Sequence, residues 1–369
     1  MRVLYSGLLR SPASWARVGR EFLAALQRLG VEVGALRMRG FLHAPQFPLP
    51  PGVREVARGD FSADIELTFA HPGLYHRLRT PRRAGILVYE ADRMPAQWAP
   101  AIRRSLDILL LPSEFCRRGA LAASVPSHLV RTVPFGVNGR IFGPGAEPPA
   151  SPFIFLTVAS PHHRKGLREL LLAYRAAFSA ADDVRLLIKT TYDPGKRPRR
   201  FPWEIASFRE LLAEGRFDDP TAPPVKFQAG TLFDEDLARL YRAAHAYVQP
   251  SYGEGFGLAA LEAASCGCAV ITTNFGAGAE VFDRESALQV PCEPVSAGPY
   301  EYDRDSGGLM GKPDVLALAH AMRSVWEDRA LLARLRRRAR DVASRYSWDE
   351  AGRQLRGYLH ELCERPPSR

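Results

Sequence analysis

Two glutamates eight residues apart, Glu254 and Glu262, stand in the most informative stretch of the sequence. Glycines at positions 253, 255 and 257 surround the first, and the second lies in an apolar run typical of a helix. Glycines let backbone N–H groups approach a ligand closely, and the start of a helix favours an anion. Because residues eight apart on a helix share roughly one face, we expect Glu254 at the helix mouth and Glu262 deeper along the same wall. The pattern suits a ligand with an anionic centre and hydroxyls at both ends, such as a nucleotide sugar.

The rest of the chain alternates short apolar runs with helical patterns, which is typical of parallel, doubly wound sheets. Strands are predicted at 3–5, 31–33, 65–69, 84–89, 108–111, 153–158, 184–189, 225–228, 246–249 and 269–272. Helices are predicted at 14–29, 166–178, 234–244, 316–326 and 329–345. Residues 134–152 are dense in Pro and Gly and predict an interdomain linker, residues 193–224 resemble an insertion, and residues 293–313 an irregular loop. The length of 369 residues favours two domains.

The frame from Pro250 to Ala263 resembles the E-x7-E signature of the retaining glycosyltransferases of family 4, which have the GT-B fold. Residues 133–138 and the Tyr-Ser-Trp run at 346–348 are similar to two further family segments, so the resemblance covers about the last two-thirds of the chain. It implies an α/β protein with two Rossmann-like, doubly wound domains facing a central cleft. The expected division is an acceptor-binding domain at 1–140, a linker at 141–152, a nucleotide-sugar domain at 153–345, and a C-terminal helix at 346–369 that crosses back to the first domain.

The resemblance also assigns roles on the donor side. Glu262 is expected to take the ribose hydroxyls and Glu254 to face the donor sugar. Lys165 is expected to hold the diphosphate. Many relatives place an arginine where this chain has Ala159, so either Arg164 or Lys189 would substitute, unless Arg164 is only a surface residue. Backbone N–H groups are expected to hold sugar and phosphate oxygens at Gly255, Phe256, Gly257 and Leu258.

Two loops of the first domain follow predicted strands and are expected to face the cleft. One contains His71 and the other Glu90. Many relatives place a histidine in the second loop, near the donor sugar. We expect Glu90 or His71 to contact the reacting hydroxyls; the alternative is a buried, hydrogen-bonded His71 and a surface Glu90.

The family implies transfer of a hexose from a nucleotide diphosphate sugar to a saccharide, lipid-linked or small-molecule acceptor. The family also implies front-face transfer that retains the anomeric configuration, without metal or cofactor. Whether the nucleotide of the donor is UDP or GDP stays open. The alternatives are a degenerate sugar-nucleotide-binding protein, or a GT-B epimerase or phosphorylase. Residues 303–305 (Asp-Arg-Asp) mimic a D-x-D metal motif, which we interpret as a false positive. An NAD dehydrogenase is disfavoured because no G-x-G-x-x-G follows the first strand.

The net charge of +10 is concentrated in residues 1–150, which hold 20 Arg, no Lys and 11 acidic residues, a local excess of +9. This asymmetry suggests lipid headgroups or a phosphorylated acceptor as an anionic partner, with a solvated, arginine-rich surface as the alternative. No motif indicates nucleic acid. Helix 14–29 and nearby arginine pairs could dock on anionic lipid. No apolar run is long enough to span a bilayer, and the N-terminus reads as a strand. We therefore expect a cytoplasmic protein, with a peripheral contact at the inner membrane face as a further hypothesis, and five reduced cysteines.

Overall fold

The structure is a computed structural model that describes residues 1–36, 44, 46–193, 195, 204–205, 207–298 and 307–365. The Asp-Arg-Asp run at 303–305 therefore lies outside the described residues. The chain forms two compact units. The first comprises Met1–Tyr89, Arg93–Gly136 and Tyr346–Arg369, and the second comprises Glu90–Asp92 and Val137–Arg345. Each unit has its own parallel sheet, which confirms the prediction of two Rossmann-like domains.

Seven parallel strands form the sheet of the first unit, in the order β3-β2-β1-β4-β5-β6-β7. They are β1 Arg2–Gly7, β2 Glu32–Leu36, β3 Arg54–Val56, β4 Ile65–Phe69, β5 Arg82–Ile86, β6 Ile108–Leu111 and β7 Val130–Thr132. The strand order reverses between β1 and β4. In open α/β sheets, ligands bind in the crevice outside the carboxyl ends of the strands at such a reversal.

The helices of the first unit are α1 Ser14–Arg28, α2 Trp98–Ser105, α3 Glu114–Ala122 and α11 Trp348–Glu364. The apolar stripe of α1 is buried at Phe22 and Leu26, whereas Trp15, near the start of the helix, is 40% exposed. The indole ring of Trp348 packs against Phe22 at 5.2 Å between ring centroids. The C-terminal helix therefore packs within the first unit.

Six parallel strands form the sheet of the second unit, in the order β10-β9-β8-β11-β12-β13. They are β8 Phe153–Val158, β9 Val184–Lys189, β10 Val225–Gln228, β11 Ala246–Gln249, β12 Ala269–Thr273 and β13 Leu288–Val290. The helices are α4 Leu167–Ala177, α5 Phe208–Glu214, α6 Asp234–Arg242, α7 Leu258–Ser265, α8 Ala277–Val281, α9 Val315–Glu327 and α10 Arg329–Ala343. The order reverses between β8 and β11, so the ligand crevice is expected there.

Two segments of the second unit differ from the sequence-based picture. The region predicted as an irregular loop contains an antiparallel pair, β14 Cys292–Ser296 and β15 Leu309–Pro313. Pro294 and Gly311 hide the strand signal, because both residues are depleted in strands. The stretch predicted as a linker contains the buried Phe142, which packs against Tyr241 at 6.1 Å between ring centroids.

Two further observations concern membrane-spanning helices and the state of the cysteines. None of the described helices combines the length and the apolar character needed to cross a bilayer. All five cysteines are free thiols, and three of them are buried. Because Phe22 and Leu26 of α1 are buried within the first unit, any contact of this helix with anionic lipid would have to use its arginines rather than its apolar face.

Candidate active site

Two loops meet at the strand reversal of the second sheet. Residues 159–166 follow β8, and residues 250–257 follow β11, its direct neighbour. The backbone N–H of Tyr252 donates to the carbonyl oxygen of Arg164 at 2.8 Å, which joins the two loops. The sequence motifs that carry charge are therefore placed together in the crevice where the fold predicts a ligand.

Gly166 allows the first loop to lie against the second. Its φ is +65°, and a Cβ at this position would lie 1.9 Å from the carbonyl oxygen of Pro250. A side chain here would be both strained and in collision with backbone. The loop can therefore approach the second loop this closely only with glycine at the residue that precedes α4.

His162 holds the turn that presents the two cations. Its Nδ1 accepts a hydrogen bond from the backbone N–H of Arg164 at 3.2 Å, at the start of a short 3-10 helix over His163–Lys165. Burial, and then the positive charges of Arg164 and Lys165, lower the pKa of His162 to about 2. The imidazole is therefore neutral near pH 7 and can accept this bond. Sequence reasoning missed this residue, although a histidine two positions before the cations could have suggested a cap.

Lys165 and Glu254 form the closest ion pair of the site. The ammonium of Lys165 donates to Oε1 of Glu254 at 2.6 Å, and the hydroxyl of Ser251 donates to the same oxygen at 2.7 Å. Burial alone would raise the pKa of Glu254, but Lys165 and Arg164 together hold it below its usual value. Burial lowers the pKa of Lys165, and the charge of Glu254 opposes that shift. We assign the pair as ionised. Ser251 was a further residue that sequence reasoning missed.

Arg164 is buried, so the interpretation of it as a surface residue is wrong. Its Nη2 lies 2.9 Å from Oε1 of Glu90, and its Nη1 lies 3.6 Å from Oε2 of Glu254 and donates to the carbonyl oxygen of Gly253 at 2.6 Å. Burial raises the pKa of Glu90, and the charge of Glu254 adds to that effect, whereas Arg164 opposes it. Two cations and two carboxylates thus face one another in the second unit.

Gly253 makes room for the segment that carries Glu90. A Cβ on Gly253 would lie 2.0 Å from the carbonyl oxygen of Glu90. Asp92, in the same three-residue segment, accepts a hydrogen bond from the backbone N–H of Leu309 at 2.7 Å and donates its own N–H to the carbonyl of Leu309 at 3.1 Å. The side chain of Glu90 is only 17% exposed, so the alternative of a surface glutamate is wrong.

The second glutamate of the motif lies in α7. Gly257, with a φ of +83°, precedes the helix, and Glu262 is 2% exposed in its second turn. The Tyr241 hydroxyl lies 3.5 Å from Oε2 of Glu262. The first N–H groups of a helix have no acceptor within that helix. The backbone N–H groups predicted to hold phosphate or sugar oxygens, at residues 255–258, lie in the loop that runs into the start of α7.

Lys189 is buried beside this site but takes no part in the four-charge cluster. It ends β9, is 4% exposed, and its ammonium donates to the carbonyl of Thr190 at 2.6 Å and to that of Gly230. Burial lowers its pKa. In the described part of the chain, no ion pair joins it to Glu254. Arg164, rather than Lys189, is thus the second cation of the cluster.

His71 belongs to the first unit, where it follows β4. Its Nδ1 accepts from the backbone N–H of Gly73 at 3.1 Å and caps a short 3-10 helix, Pro72–Arg77. Its ring meets that of Trp98 edge-on at 4.9 Å. The residue is exposed rather than buried. Of the two residues predicted on the acceptor side, the structure places only Glu90 in the cluster.

The family match to known proteins lies within the second unit. Residues 152–328 match the family described as glycosyl transferases group 1. A D-inositol 3-phosphate glycosyltransferase of Corynebacterium kroppenstedtii is 26% identical over 253 residues, which cover 66% of this chain and 50% of that protein. The chain spans about half the length of several such curated relatives.

Solved structures are similar over nearly the whole chain. Sucrose-phosphate synthase of Thermosynechococcus elongatus has a TM-score of 0.70 at 19% identity and covers 98% of this chain and 99% of its own. Anabaena HepE, solved in complex with UDP and glucose, has a TM-score of 0.71 at 14% identity. The similarity covers 98% of this chain and 100% of HepE. The fold of the chain is therefore the GT-B fold that the sequence predicted.

Proposed function

We propose that this chain, whose residues 152–328 match the family of group 1 glycosyl transferases, transfers a hexose from a nucleotide diphosphate sugar to a saccharide, lipid-linked or small-molecule acceptor. One observation carries the proposal. Arg164 and Lys165 are adjacent, buried cations at the strand reversal of the second sheet, and the carboxylates of Glu90 and Glu254 occupy them. A diphosphate is the ligand that could replace both carboxylates at once.

The cation pair supplies what the leaving group needs. When the bond between the sugar and the diphosphate breaks, negative charge develops on the phosphate oxygen. Charges that are already in position stabilise it without reorganisation. Lys165 and Arg164 have this arrangement, because His162 and the 3-10 helix fix the turn that carries them. The reaction would then need no metal, so EDTA should leave its rate unchanged.

Glu254 would change partners when the donor binds. As the diphosphate takes Lys165, the carboxylate can accept hydrogen bonds from the hydroxyls of the donor sugar. Ser251 donates at 2.7 Å to the same carboxylate oxygen as Lys165, so Glu254 keeps one neutral donor through the exchange. Glu254 would therefore exchange its contact with Lys165 for contacts with the sugar, while Ser251 keeps the carboxylate in place.

The nucleoside would extend along α7 and the end of β9. Glu262 would accept hydrogen bonds from the ribose diol, since a carboxylate can serve two hydroxyls. Backbone N–H groups at 255–258 would hold sugar and phosphate oxygens. Lys189 would fix the loops that follow β9 and β10 through its bonds to the carbonyls of Thr190 and Gly230.

We further propose that transfer retains the anomeric configuration by a front-face route. The bond from the anomeric carbon to the phosphate oxygen breaks as the bond to the acceptor oxygen forms on the same face. The leaving phosphate oxygen takes the proton of the acceptor hydroxyl. Of Glu90 and His71, we propose Glu90 as the residue near the reacting hydroxyls, because it contacts Arg164.

The rival function is a sugar-nucleotide-binding protein without turnover, and Ala159 favours it because relatives often have an arginine there. A panel of UDP-, GDP- and ADP-sugars separates the two functions. UDP-glucose is the first to test, because HepE was solved with UDP and glucose. We expect one donor to raise the melting temperature and to be hydrolysed slowly, with both effects weakened in Lys165→Ala but not in Lys226→Ala, an exposed lysine of β10. Stabilisation without hydrolysis or transfer would support the binding protein instead.

A further inference from the structure

We propose that a cavity in the first unit binds an anionic, partly apolar small molecule, and that this molecule is the acceptor. The cavity has a volume of about 440 Å³, which lies in the size range of small-molecule sites. The binding site stands on the geometry of the first unit alone. Only its assignment to the acceptor rests on the proposed transferase function.

The cavity lies where the first sheet is expected to bind a ligand. Ser6 and Thr68, which line it, are paired residues near the carboxyl ends of β1 and β4, the two strands between which the order reverses. Leu36 and Val56, which end β2 and β3, also line it and are paired. Four neighbouring strands thus end at the same cavity, in the crevice that open α/β sheets use for ligands.

Most of the wall is apolar. Besides the ends of β2 and β3, it is formed by Ala57, Ala70, Leu74 and Leu78. Leu74 is 37% exposed, one of few large apolar side chains with that much exposure in the described chain. An apolar wall with a partly exposed leucine favours a ligand that buries hydrocarbon there, because each buried CH₂ contributes about 0.8 kcal/mol.

The charged groups of the described wall all have one sign. Arg58 and Arg77 line the cavity, and none of the lining residues in the described part of the chain is acidic. Arg77 is exposed and follows Leu74 by one turn in the 3-10 helix Pro72–Arg77. The cavity therefore combines apolar surface with two guanidinium groups, each able to bind phosphate or carboxylate oxygens.

A buried carboxylate fixes Arg58 in place. Glu66 has a fully buried side chain and accepts from Nη2 of Arg58 at 2.8 Å and from Nη1 at 3.1 Å. Its Oε2 also accepts from the backbone N–H of Arg79 at 2.8 Å. Burial would raise the pKa of Glu66, but these hydrogen bonds hold it below its usual value. Arg58 is thus neutralised by Glu66 and held in place, whereas no salt bridge compensates the charge of Arg77 among the residues that the structure describes.

The matching ligand has one anionic group and an adjoining apolar body. A small inorganic anion would leave the apolar wall unused, and a neutral glycoside would leave Arg77 without a counter-charge. Phosphate or carboxylate on a hydrocarbon chain fits both parts. This chemistry also agrees with the excess of arginine in residues 1–150, which suggests an anionic partner.

Calorimetric titration of the full chain with n-octyl phosphate, inorganic phosphate and n-octyl glucoside tests the site, each ligand kept below micelle formation. We expect n-octyl phosphate to bind about tenfold or more tightly than either of the others. Arg77→Ala and Leu74→Ser should each weaken it by about tenfold. Arg54→Ala, at an exposed arginine of β3 outside the cavity, and Lys165→Ala should leave it unchanged.

Equal binding of n-octyl phosphate and inorganic phosphate would overturn the site, as would unchanged affinity in both cavity variants. Thermal melting of the variants confirms that they fold, which is expected because both side chains are exposed. The acceptor assignment has its own readout: n-octyl phosphate should slow hydrolysis of the donor in the wild type but not in Arg77→Ala. Binding without any slowing would overturn that assignment. Failure of the proposed function would instead appear as absent donor hydrolysis, with n-octyl phosphate binding intact.

Discussion

Nη2 of Arg164 lies 2.9 Å from Oε1 of Glu90, and both side chains are at most 17% exposed. The guanidinium also faces Glu254, whose other oxygen holds Lys165. The two cations proposed to bind the diphosphate are thus neutralised by the protein's own carboxylates. A buried charge that loses its partner costs free energy. A diphosphate that binds Arg164 and Lys165 must therefore leave Glu90 and Glu254 with new partners.

Glu90→Gln is expected to tighten binding of UDP, because it removes a negative charge that competes with the diphosphate for Arg164 and keeps the side-chain shape. We expect a decrease in Kd of up to about tenfold, equivalent to 1.4 kcal/mol. Isothermal titration calorimetry measures it. Glu293→Gln, at an exposed glutamate of β14, is the matched control and should bind like the wild type. Weaker binding in Glu90→Gln would show that Glu90 orients Arg164 rather than competing for it.

Gly253→Ala is expected to destabilise the second unit and to displace the segment that carries Glu90. The added Cβ would lie 2.0 Å from the Glu90 carbonyl oxygen, so backbone must move. Overpacking of this kind typically costs about 1–3 kcal/mol. Urea unfolding gives the loss, and Gly139→Ala is the control because nothing lies within 4 Å of its added Cβ. Equal stability of the two variants would mean that residues 90–92 shift without cost.

Glu262→Gln tests whether this buried carboxylate binds the ribose. The wild type should prefer UDP over 2′-deoxy-UDP by about tenfold, since one hydrogen bond to a charged group is lost. Glu262→Gln should weaken binding of UDP and remove most of that preference. The four affinities form a double-mutant cycle, which isolates the interaction of the carboxylate with the hydroxyl. Additive effects of the two changes would place the ribose elsewhere.

His162 predicts an acid-sensitive fold. Burial, with Arg164 and Lys165, lowers its pKa from 6.5 to about 2 in the folded chain. Below pH 6.5 the unfolded chain therefore binds a proton that the folded chain does not, so stability falls as the pH falls towards 2. The slope from this group is at most about 1.4 kcal/mol per pH unit.

His162→Asn keeps an oxygen acceptor for the Arg164 N–H but removes the titration. Urea unfolding between pH 7 and pH 5 should give a shallower slope for this variant than for the wild type. His320→Asn, at an exposed histidine of α9, should keep the wild-type slope. Part of the slope will remain in every variant, because burial also lowers the pKa of His245 to about 4. A wild-type slope in His162→Asn would contradict the assignment.

Periodicity was sufficient to predict most of the fold, including the long helices and the buried parallel strands. It did not predict β3 and β7, each only three residues long and each at an edge of the first sheet. Such strands exist through pairing with a neighbour rather than through a pattern of their own. The pair β14 and β15 was missed for a similar reason, since Pro294 and Gly311 weaken the local signal.

The loops and helix of the donor side were also visible in the sequence, because Lys165, Glu254 and Glu262 lie in short, dense motifs. The partner of Arg164 was not, since Glu90 is remote in the chain and only the folded structure brings it near. The roles of Ser251 and His162 depend on hydrogen bonds within loops. The spacing of residues in the sequence does not determine the geometry of those loops. Lys189 ends the strand predicted for it, yet its ammonium turns to the carbonyls of Thr190 and Gly230.

The most direct test of the central claim is the affinity of the protein for UDP in Lys165→Met, measured by isothermal titration calorimetry beside Lys226→Met. If Lys165 binds the diphosphate, Kd rises by roughly tenfold to a hundredfold in Lys165→Met, since a charge-assisted hydrogen bond contributes about 1.5–3 kcal/mol. Lys226→Met, at an exposed lysine, keeps the wild-type Kd. An unchanged Kd in a folded Lys165→Met protein would contradict the account, because the diphosphate would then not lie on the cation pair.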